Sequence, residues 1–231
     1  HNKWIEVDRK GEKMGYTIAR VPDLGAPDAN WNRPVWSSAE TLDVSLFPWK
    51  DSGHRPVTKA RLLYTETHLG VMFSVSDRYV RAVTDTYQGP VCCDSCVEFF
   101  VAPIPGSNVY FNFEMNCGGT MLLYRNRPPG ERDAGEARTP VTEDHARTIE
   151  VAHSLPEIVD PEITEPTTWS IEYHVPLVLF DLYFESVQYQ PGASWRANFY
   201  KCGDHTSHPH WGSWAPVTTE KPNFHFPASF Q

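Results

Sequence analysis

The sequence predicts an all-β fold, a two-sheet antiparallel β-sandwich of the jelly-roll kind with one short helix. Most segments alternate apolar and polar residues with the two-residue period of a half-buried strand. Gly, Pro, Asn or Asp bound these segments, and several of the 20 Pro residues stand at their ends. Short strands in this number are typical of two sheets packed face to face. We therefore expect one domain over residues 1–231.

Each predicted strand is an alternating run that ends at turn residues. In chain order the runs cover residues 4–7, 16–21, 41–47, 58–66, 68–77, 95–103, 109–116, 119–126, 147–154, 169–176 and 195–203. The predicted helix covers residues 176–184, PLVLFDLYF, whose apolar residues suit one or two turns against a sheet edge. Two charged, Pro-rich stretches, residues 125–147 and 155–168, predict long surface loops.

Composition narrows the class of protein. Hydrophobic residues make up 40% of the chain, aromatic residues 13%, and there are eight Trp, which excludes a disordered chain. The net charge is -9 and no dense run of Lys or Arg occurs, so nucleic acid is not expected as a partner. No apolar run approaches the roughly 20 residues that span a bilayer, so we predict no membrane span. The first residues lack a signal-peptide core, yet a chain beginning at His1 leaves export open, and we expect a secreted, periplasmic or cell-surface protein.

Five cysteines occur, at positions 92, 93, 96, 117 and 202, and three of them fall within the segment CCDSC. An odd number leaves at least one thiol free if the others pair within the chain. We favour packed or partly paired thiols over a metal site, because a structural zinc site normally needs a second ligand pair at matched spacing.

Polar residues share one face on three of the predicted strands. In YFNFEMN, residues 110–116, the polar positions alternate with apolar ones, and the strands at 95–103 and 195–203 behave alike. If these strands are neighbours, they form one surface of carboxylates, amides, a guanidinium and a phenol. Such groups bind adjacent sugar hydroxyls through paired hydrogen bonds. The alternative interpretation is that this face of the sheet only contacts solvent. The candidate residues are Glu98, Asn112, Glu114, Asn116, Arg196, Asn198 and Tyr200.

A sugar site also needs an aromatic ring, because the C–H faces of sugars stack on aromatic side chains. The C-terminal run HWGSWAPVTTEKPNFHFP supplies candidates, and packing of these rings in the core is the alternative for each. They are Trp211, Trp214, Phe224, His225 and Phe226.

The ordered series of strand motifs resembles the family 9 carbohydrate-binding modules, found attached to xylanases, and the wider DOMON-like sandwiches. The motifs are Trp36-x-x-Ala39, TKARLLYTETHLGVMFSVSD, DSCVEFFVAP, YFNFEMN, WSIEYHVPL, WRANFYKC and SWAP with PNFHFPASF, from about Trp31 to Phe230. The resemblance implies noncatalytic binding of sugar chain ends, from a plant-type polysaccharide such as xylan or glucan. It also implies a glycoside hydrolase of the same pathway as a further partner, and no organic cofactor.

The resemblance assigns roles to several candidates. Glu98 takes the position of the family's sugar-binding carboxylate if Cys96 is counted as one extra residue, and Glu114 stands where the family has a basic residue. Phe224 matches one wall of the family's ring clamp. Asn198 and Tyr200 lie on a strand that lines the family's site.

Two features of the family have no clear match. The second ring wall should lie where this chain has Val91, Cys92 and Cys93, so Tyr87 or a loop aromatic would have to replace it. Family members also carry structural calcium, and Asp28, Asp43 and Asp77 are candidate ligands at loop or strand-end positions.

Two other functions stay open from the sequence. A b-type haem electron carrier would use Met115 or Met72 with a His or Lys as axial ligands. An enzyme would use Glu98 with Glu114 as the carboxylate pair of a glycosidase, or the His208-Pro209-His210 segment as metal ligands. No G-x-S-x-G, H-E-x-x-H or P-loop pattern occurs, so other hydrolase and nucleotide-binding functions lack a local basis.

Overall fold

The computed structural model describes residues 15–131 and 136–231, together with the backbone of residues 8–9 and 12–13. The predicted strand at residues 4–7 lies outside the described residues. The strands are β1 (Asp8–Arg9), β2 (Glu12–Lys13), β3 (Ala19–Arg20), β4 (Leu42–Val44), β5 (Val57–Tyr64), β6 (His68–Asp77), β7 (Val80–Ala82), β8 (Cys96–Ala102), β9 (Tyr110–Asn116), β10 (Met121–Asn126), β11 (Arg138–Pro140), β12 (Glu150–His153), β13 (Val159–Ile163), β14 (Thr167–Pro176), β15 (Arg196–Cys202) and β16 (Trp211–Ser213). The α-helices are α1 (Glu143–Ala146) and α2 (Leu177–Tyr183), and 3-10 turns cover Pro34–Ser38, Val91–Cys93 and Pro227–Ser229.

Two large sheets form the sandwich and confirm the predicted all-β class. The front sheet has six strands in the order β11-β10-β9-β8-β15-β16, and the back sheet has the order β12-β14-β6-β5-β3, with β4 also paired to β5. Neighbouring strands in both sheets are antiparallel, except that β3 pairs with β5 in parallel. Two short ladders, β1 with β2 and β7 with β13, complete the described pairing.

The main core lies between the two sheets, as the alternation predicts. Aromatic rings cross from one sheet to the other: Phe73 lies 6.0 Å from Phe199, and Phe113 lies 6.0 Å from Tyr173, measured between ring centroids. These side chains belong to one continuous cluster of buried apolar residues. Burial of this apolar surface is the dominant favourable term in folding.

The predicted short helix is confirmed as α2, but the structure contains a second helix. α2 buries Leu177, Leu179 and Phe180 against the core and leaves Val178 and Leu182 exposed, which is the one-sided burial of an amphipathic helix. The second helix, α1, lies inside a stretch predicted to be a loop.

Both predicted long loops contain regular structure. Within residues 125–147, β11 forms the edge strand of the front sheet by pairing with β10, and Val141 is buried in the core. Helix α1 follows because the Thr142 side chain accepts a hydrogen bond from the backbone N–H of His145, which caps the first turn. Within residues 155–168, β13 pairs with β7 and buries Val159. A few apolar residues in each polar stretch therefore hold it against the sandwich.

Candidate functional site

The register of the front sheet places two carboxylates side by side. Glu98 on β8 lies directly opposite Glu114 on β9, and both point to the outer face because they alternate with core residues. Tyr200 on β15 neighbours Glu98, and Leu122 on β10 neighbours Glu114. The outer face therefore carries a row in the order Leu122, Glu114, Glu98 and Tyr200 across four strands, which we call the carboxylate row.

This outer face is covered by the chain itself and is not a solvated surface. A second apolar cluster lies over it, built from the C-terminal segment, the turn at Val91–Cys93 and Trp49. Glu98 and Glu114 are only 3% and 4% exposed. The alternative of a simple solvent-facing sheet is therefore wrong for these residues.

Burial changes the protonation of both carboxyls. Burial, followed by repulsion from Glu114, raises the pKa of Glu98 well above its usual range, although the Cys202 thiol donates to Glu98 Oε1 at 3.2 Å and opposes the shift. Burial also raises the pKa of Glu114 to about 7. The Asn112 amide donates to Glu114 Oε1 at 2.7 Å and, with the charge of Arg138, partly opposes that rise in pKa. Near neutral pH the pair therefore offers both a hydrogen-bond donor and acceptors, as a sugar hydroxyl requires.

The three asparagines of the predicted site are fully buried, and each bonds to the protein. Asn112 accepts from the Tyr124 backbone N–H at 2.9 Å and from Asn126 while donating to Glu114. Asn116 donates to Asp94 and to a backbone carbonyl, and its Oδ1 atom closes the turn after β9 by accepting from two backbone N–H groups of that turn. Asn198 forms hydrogen bonds with both backbone groups of Ala215. These amides orient neighbouring groups on the outer face.

The remaining predicted residues fix the segments that cover the carboxylate row. Arg196 donates to the Ser107 carbonyl at 2.7 Å, to Asn108 Oδ1 at 2.8 Å and to the Pro227 carbonyl. The Tyr200 ring stacks on Phe224 with a centroid distance of 4.1 Å and an interplanar angle of 13°. One face of Phe224 is therefore already occupied by a protein ring.

A partly exposed rim surrounds the carboxylate row. We define the rim as Cys92, Tyr124, Arg138, Asp204 and Trp211, none of which is buried. The Trp211 indole N–H donates to Asp204 Oδ1 at 2.8 Å, and the Arg138 guanidinium lies 3.7 Å from the centre of the Tyr124 ring. Burial raises the pKa of the Asp204 carboxyl. The rim thus supplies a carboxylate, a guanidinium and two rings close to Glu98 and Glu114.

The sequence suggested only part of this rim. Trp211 belonged to the aromatic C-terminal run, and Tyr124 has the strand position opposite Asn112, which period-two alternation can identify. Arg138 and Asp204 lie outside the polar strand runs, so alternation did not indicate them. Tyr87 does not replace the missing ring wall, because its ring packs on the main core and its hydroxyl donates to the Val141 carbonyl at 2.8 Å. Trp214 packs against Phe199 at 5.8 Å, also on the core side of the sheet.

Residues 36–231 match the sequence model of carbohydrate-binding family 9. The chain belongs to this family. Its structure is similar to that of a candidate carbohydrate-binding protein from Bacteroides uniformis, with a TM-score of 0.80 and 28% identity over 92% of this chain and 94% of that one. No curated protein matches the chain significantly in sequence.

Two structures of a family 9 module from Caldicellulosiruptor kristjanssonii share the fold at 12% identity and a TM-score of 0.54. One is a complex with cellotriose, and the structural match covers 86% of this chain and 83% of that one. The other is a complex with glucose and covers 92% and 93%. Across the described residues, every helix of this family 9 chain is too short or too polar to cross a membrane.

The haem ligands considered from the sequence are buried in separate apolar clusters of this family 9 chain. Met115 is 1% exposed in the main core, and Met72 is fully buried with Trp36 on the far side of the back sheet. Methionine in such positions packs as a flexible apolar side chain.

The histidine segment after β15 closes a buried ionic cluster. His210 Nε2 lies 2.8 Å from the Lys201 ammonium, which is 3.4 Å from Asp77 Oδ2, and His54 contacts Asp77 Oδ1 at 2.6 Å. His208 stacks on Tyr79 instead of facing His210.

These contacts bear on the candidate calcium ligands. The Lys201 charge occupies the position next to Asp77 that a calcium ion would need, so Asp77 does not fit calcium. Asp43 lies exposed on β4 opposite Lys59, and Asp28 lies exposed beside Arg33. The three carboxylates therefore do not form one site, and structural calcium stays a prediction.

Proposed function

We propose that this family 9 protein binds the ends of carbohydrate chains at the rim above Glu98 and Glu114, without cleaving them. The pairing of these carboxyls beside a partly exposed rim is the observation that carries the proposal. Carboxyl groups held 3% and 4% exposed in a fixed register are preorganised, so little conformational entropy is lost when a hydroxyl binds.

The proposed site keeps the eight residues that the sequence indicated and divides their roles. Glu98 and Glu114 bind hydroxyls, and the Phe224 ring borders the site. Asn112 orients Glu114 through its hydrogen bond of 2.7 Å. The others hold the covering segments in place: Asn116, Arg196, Asn198 and Tyr200.

Trp211 supplies the ring wall that the Cys92 and Cys93 positions lack. The register supports this role, because Trp211 on β16 lies opposite Cys202, two residues beyond the carboxylate row on β15. Its hydrogen bond to Asp204 fixes the indole plane at the rim. Stacking on one fixed ring is expected to orient a sugar whose hydroxyls then reach the carboxyls.

The proposed ligand is a β-glucan chain end, with xylan as the plant-polysaccharide alternative. The relatives from C. kristjanssonii hold cellotriose and glucose, which supports the glucan choice. A noncatalytic protein that holds a polysaccharide can bring it to a glycoside hydrolase, so we propose such an enzyme as a partner. We also propose a secreted, periplasmic or cell-surface location.

Calorimetric titration with glucose, cellotriose and xylotriose tests the proposal. We expect Glu98→Gln and Trp211→Ala each to weaken cellotriose binding by about tenfold or more, equivalent to about 1.4 kcal/mol. Glu150→Gln is the matched control, because Glu150 is an exposed carboxylate on the back sheet. Equal affinities for the wild type and both site variants, with circular dichroism unchanged, would contradict the proposed site.

One observation favours a second function. A carboxyl with a pKa of about 7 beside a second carboxyl resembles the acid and base of a glycosidase. A reducing-sugar assay on xylan and β-glucans separates the two functions. If the wild type releases reducing sugar and the Glu114→Gln variant does not, the protein is a glycosidase and the binding proposal is wrong. We expect no release of sugar by either protein.

A further inference from the structure

Two thiols and one carboxyl converge on the outer face of the front sheet. Cys202 on β15 lies directly opposite Cys96 on β8, and Glu98 lies two residues beyond Cys96 on the same face. The two Sγ atoms and a Glu98 carboxyl oxygen all lie within 4.8 Å of one another, and the three side chains are buried. The Cys202 Sγ atom is 3.2 Å from Glu98 Oε1. In the part of the chain that the structure describes, this is the group of three possible ligands close enough to share one metal ion.

The ligand types select the metal. Calcium and magnesium take oxygen ligands, which two sulfur atoms cannot supply. Zinc accepts thiolate sulfur and carboxylate oxygen together, with Zn–S bonds of about 2.3 Å, so two sulfurs on one tetrahedral ion are separated by about 3.8 Å. The present spacing, within 4.8 Å, needs to contract by only about an ångström at most. We propose that Cys96, Cys202 and Glu98 form a binding site for a zinc ion.

The surroundings suit such an ion. The buried Lys201 ammonium, which would repel a cation, lies on the opposite face of the sheet, where Asp77 Oδ2 at 3.4 Å offsets its charge. Binding replaces the two thiol protons with one divalent ion, which leaves the total charge of the buried group unchanged. The half-buried Cys92 lies next to the site, with its carbonyl oxygen 3.7 Å from Cys202 Sγ.

Metal titration of the reduced full chain tests this site without any sugar. We expect one zinc ion per chain, measured by competition with a chromophoric chelator. We also expect one cobalt(II) ion to give the sulfur-to-cobalt charge-transfer band and the visible bands of tetrahedral coordination. Cys96→Ser and Cys202→Ser should each weaken zinc binding at least about tenfold. Cys117→Ser is the matched control, because Cys117 is also a buried free thiol but belongs to the main core.

Three results would overturn the site. They are no cobalt–thiolate band at equimolar cobalt, full zinc affinity in a Cys96→Ser/Cys202→Ser double variant, or a Cys96–Cys202 disulfide in the unreduced protein by peptide mass spectrometry. Glu98 belongs to both proposals. The metal titration, however, depends on the Cys96 and Cys202 thiols, whereas the sugar titration depends on Trp211 in the rim. Failure of one is therefore distinguishable from failure of the other.

Discussion

Glu114 is a carboxyl that the folded protein keeps partly protonated near neutral pH. Its folded pKa of about 7 lies above the value of about 4.3 for an unfolded chain. A raised pKa contributes stability that is fully present below the unfolded value and is lost as the pH rises through the folded value. Glu98 shifts in the same direction, so the two carboxyls act together.

We therefore expect the free energy of unfolding to fall by roughly 1–3 kcal/mol between about pH 4 and pH 7 because of this pair. Glu114→Gln, which cannot ionise, should flatten that slope. Denaturant unfolding at several pH values measures the effect, with Glu150→Gln as the control. Parallel curves for wild type and Glu114→Gln would show that the pair does not hold its proton.

Asn198 is a polar strand residue that mainly stabilises the fold. Its amide bonds to both the N–H and the carbonyl of Ala215, at 2.9 and 3.2 Å, in a fully buried position. Asn198→Ala leaves these backbone groups unpaired, so we expect a loss of about 2 kcal/mol or more in unfolding free energy. Urea unfolding measures it. Unchanged stability with weaker sugar binding would instead make Asn198 a direct sugar contact.

At the scale of elements, the turn between β9 and β10 packs closely against the segment that precedes β13. A Cβ atom at Gly118 would lie 2.1 Å from the Glu157 carbonyl oxygen, which is backbone and cannot rotate away. Gly118→Ala must therefore move the segment that leads to β13, and we expect a loss of about 1–3 kcal/mol.

Gly106→Ala provides the comparison for this turn. Gly106 has a φ of +79° but nothing within 4 Å of an added Cβ, so only the backbone conformation opposes the substitution. Thermal unfolding of both variants should show the larger loss for Gly118→Ala, together with a changed β13 environment. An equal loss at the two positions would contradict steric blocking by Glu157.

Alternation predicted the elements well where apolar residues repeat and less well where a single residue anchors the chain. The predicted strand 68–77 matches His68–Asp77, and alternation correctly placed Glu98 and Glu114 on one face. β11 and β13 were missed because their stretches are polar; Val159 in β13 is buried, and Val141 is buried just after β11. The covering of the outer face was also unpredictable, since it depends on contacts such as Asn198 with Ser229, 31 residues apart. Local patterns carry no information about which distant segment closes over a sheet.

At the scale of the whole molecule, ligand binding should raise the melting temperature, because a ligand that binds only the folded state stabilises it. At about 100 times its Kd, cellotriose is expected to add about 2.7 kcal/mol. For a chain of 231 residues this corresponds to a rise of roughly 5 °C or more. Differential scanning fluorimetry with cellotriose, and with sucrose as an unrelated sugar, measures it. Equal shifts for the two sugars would contradict a chain-end site.

The prediction of structural calcium also concerns the whole chain, and a melting experiment can check it. We expect EDTA to lower the melting temperature and excess calcium to restore it, because an ion bound only by the folded protein stabilises that state. Asp77→Asn should leave this difference unchanged, since Lys201 and His54 already hold that carboxylate. The same melting temperature with and without EDTA would argue against calcium.

β8 and β9 bury every residue along their length, with apolar clusters on both sides of the front sheet. Amino-acid substitutions on these two strands are therefore more restricted than elsewhere, because the packing on both faces of the front sheet limits them. Residues of the rim, such as Arg138 and Trp211, are not enclosed by packing on both sides. Their side chains can therefore change more easily. New sugar preferences in a lineage built on this sandwich should therefore arise at these positions first.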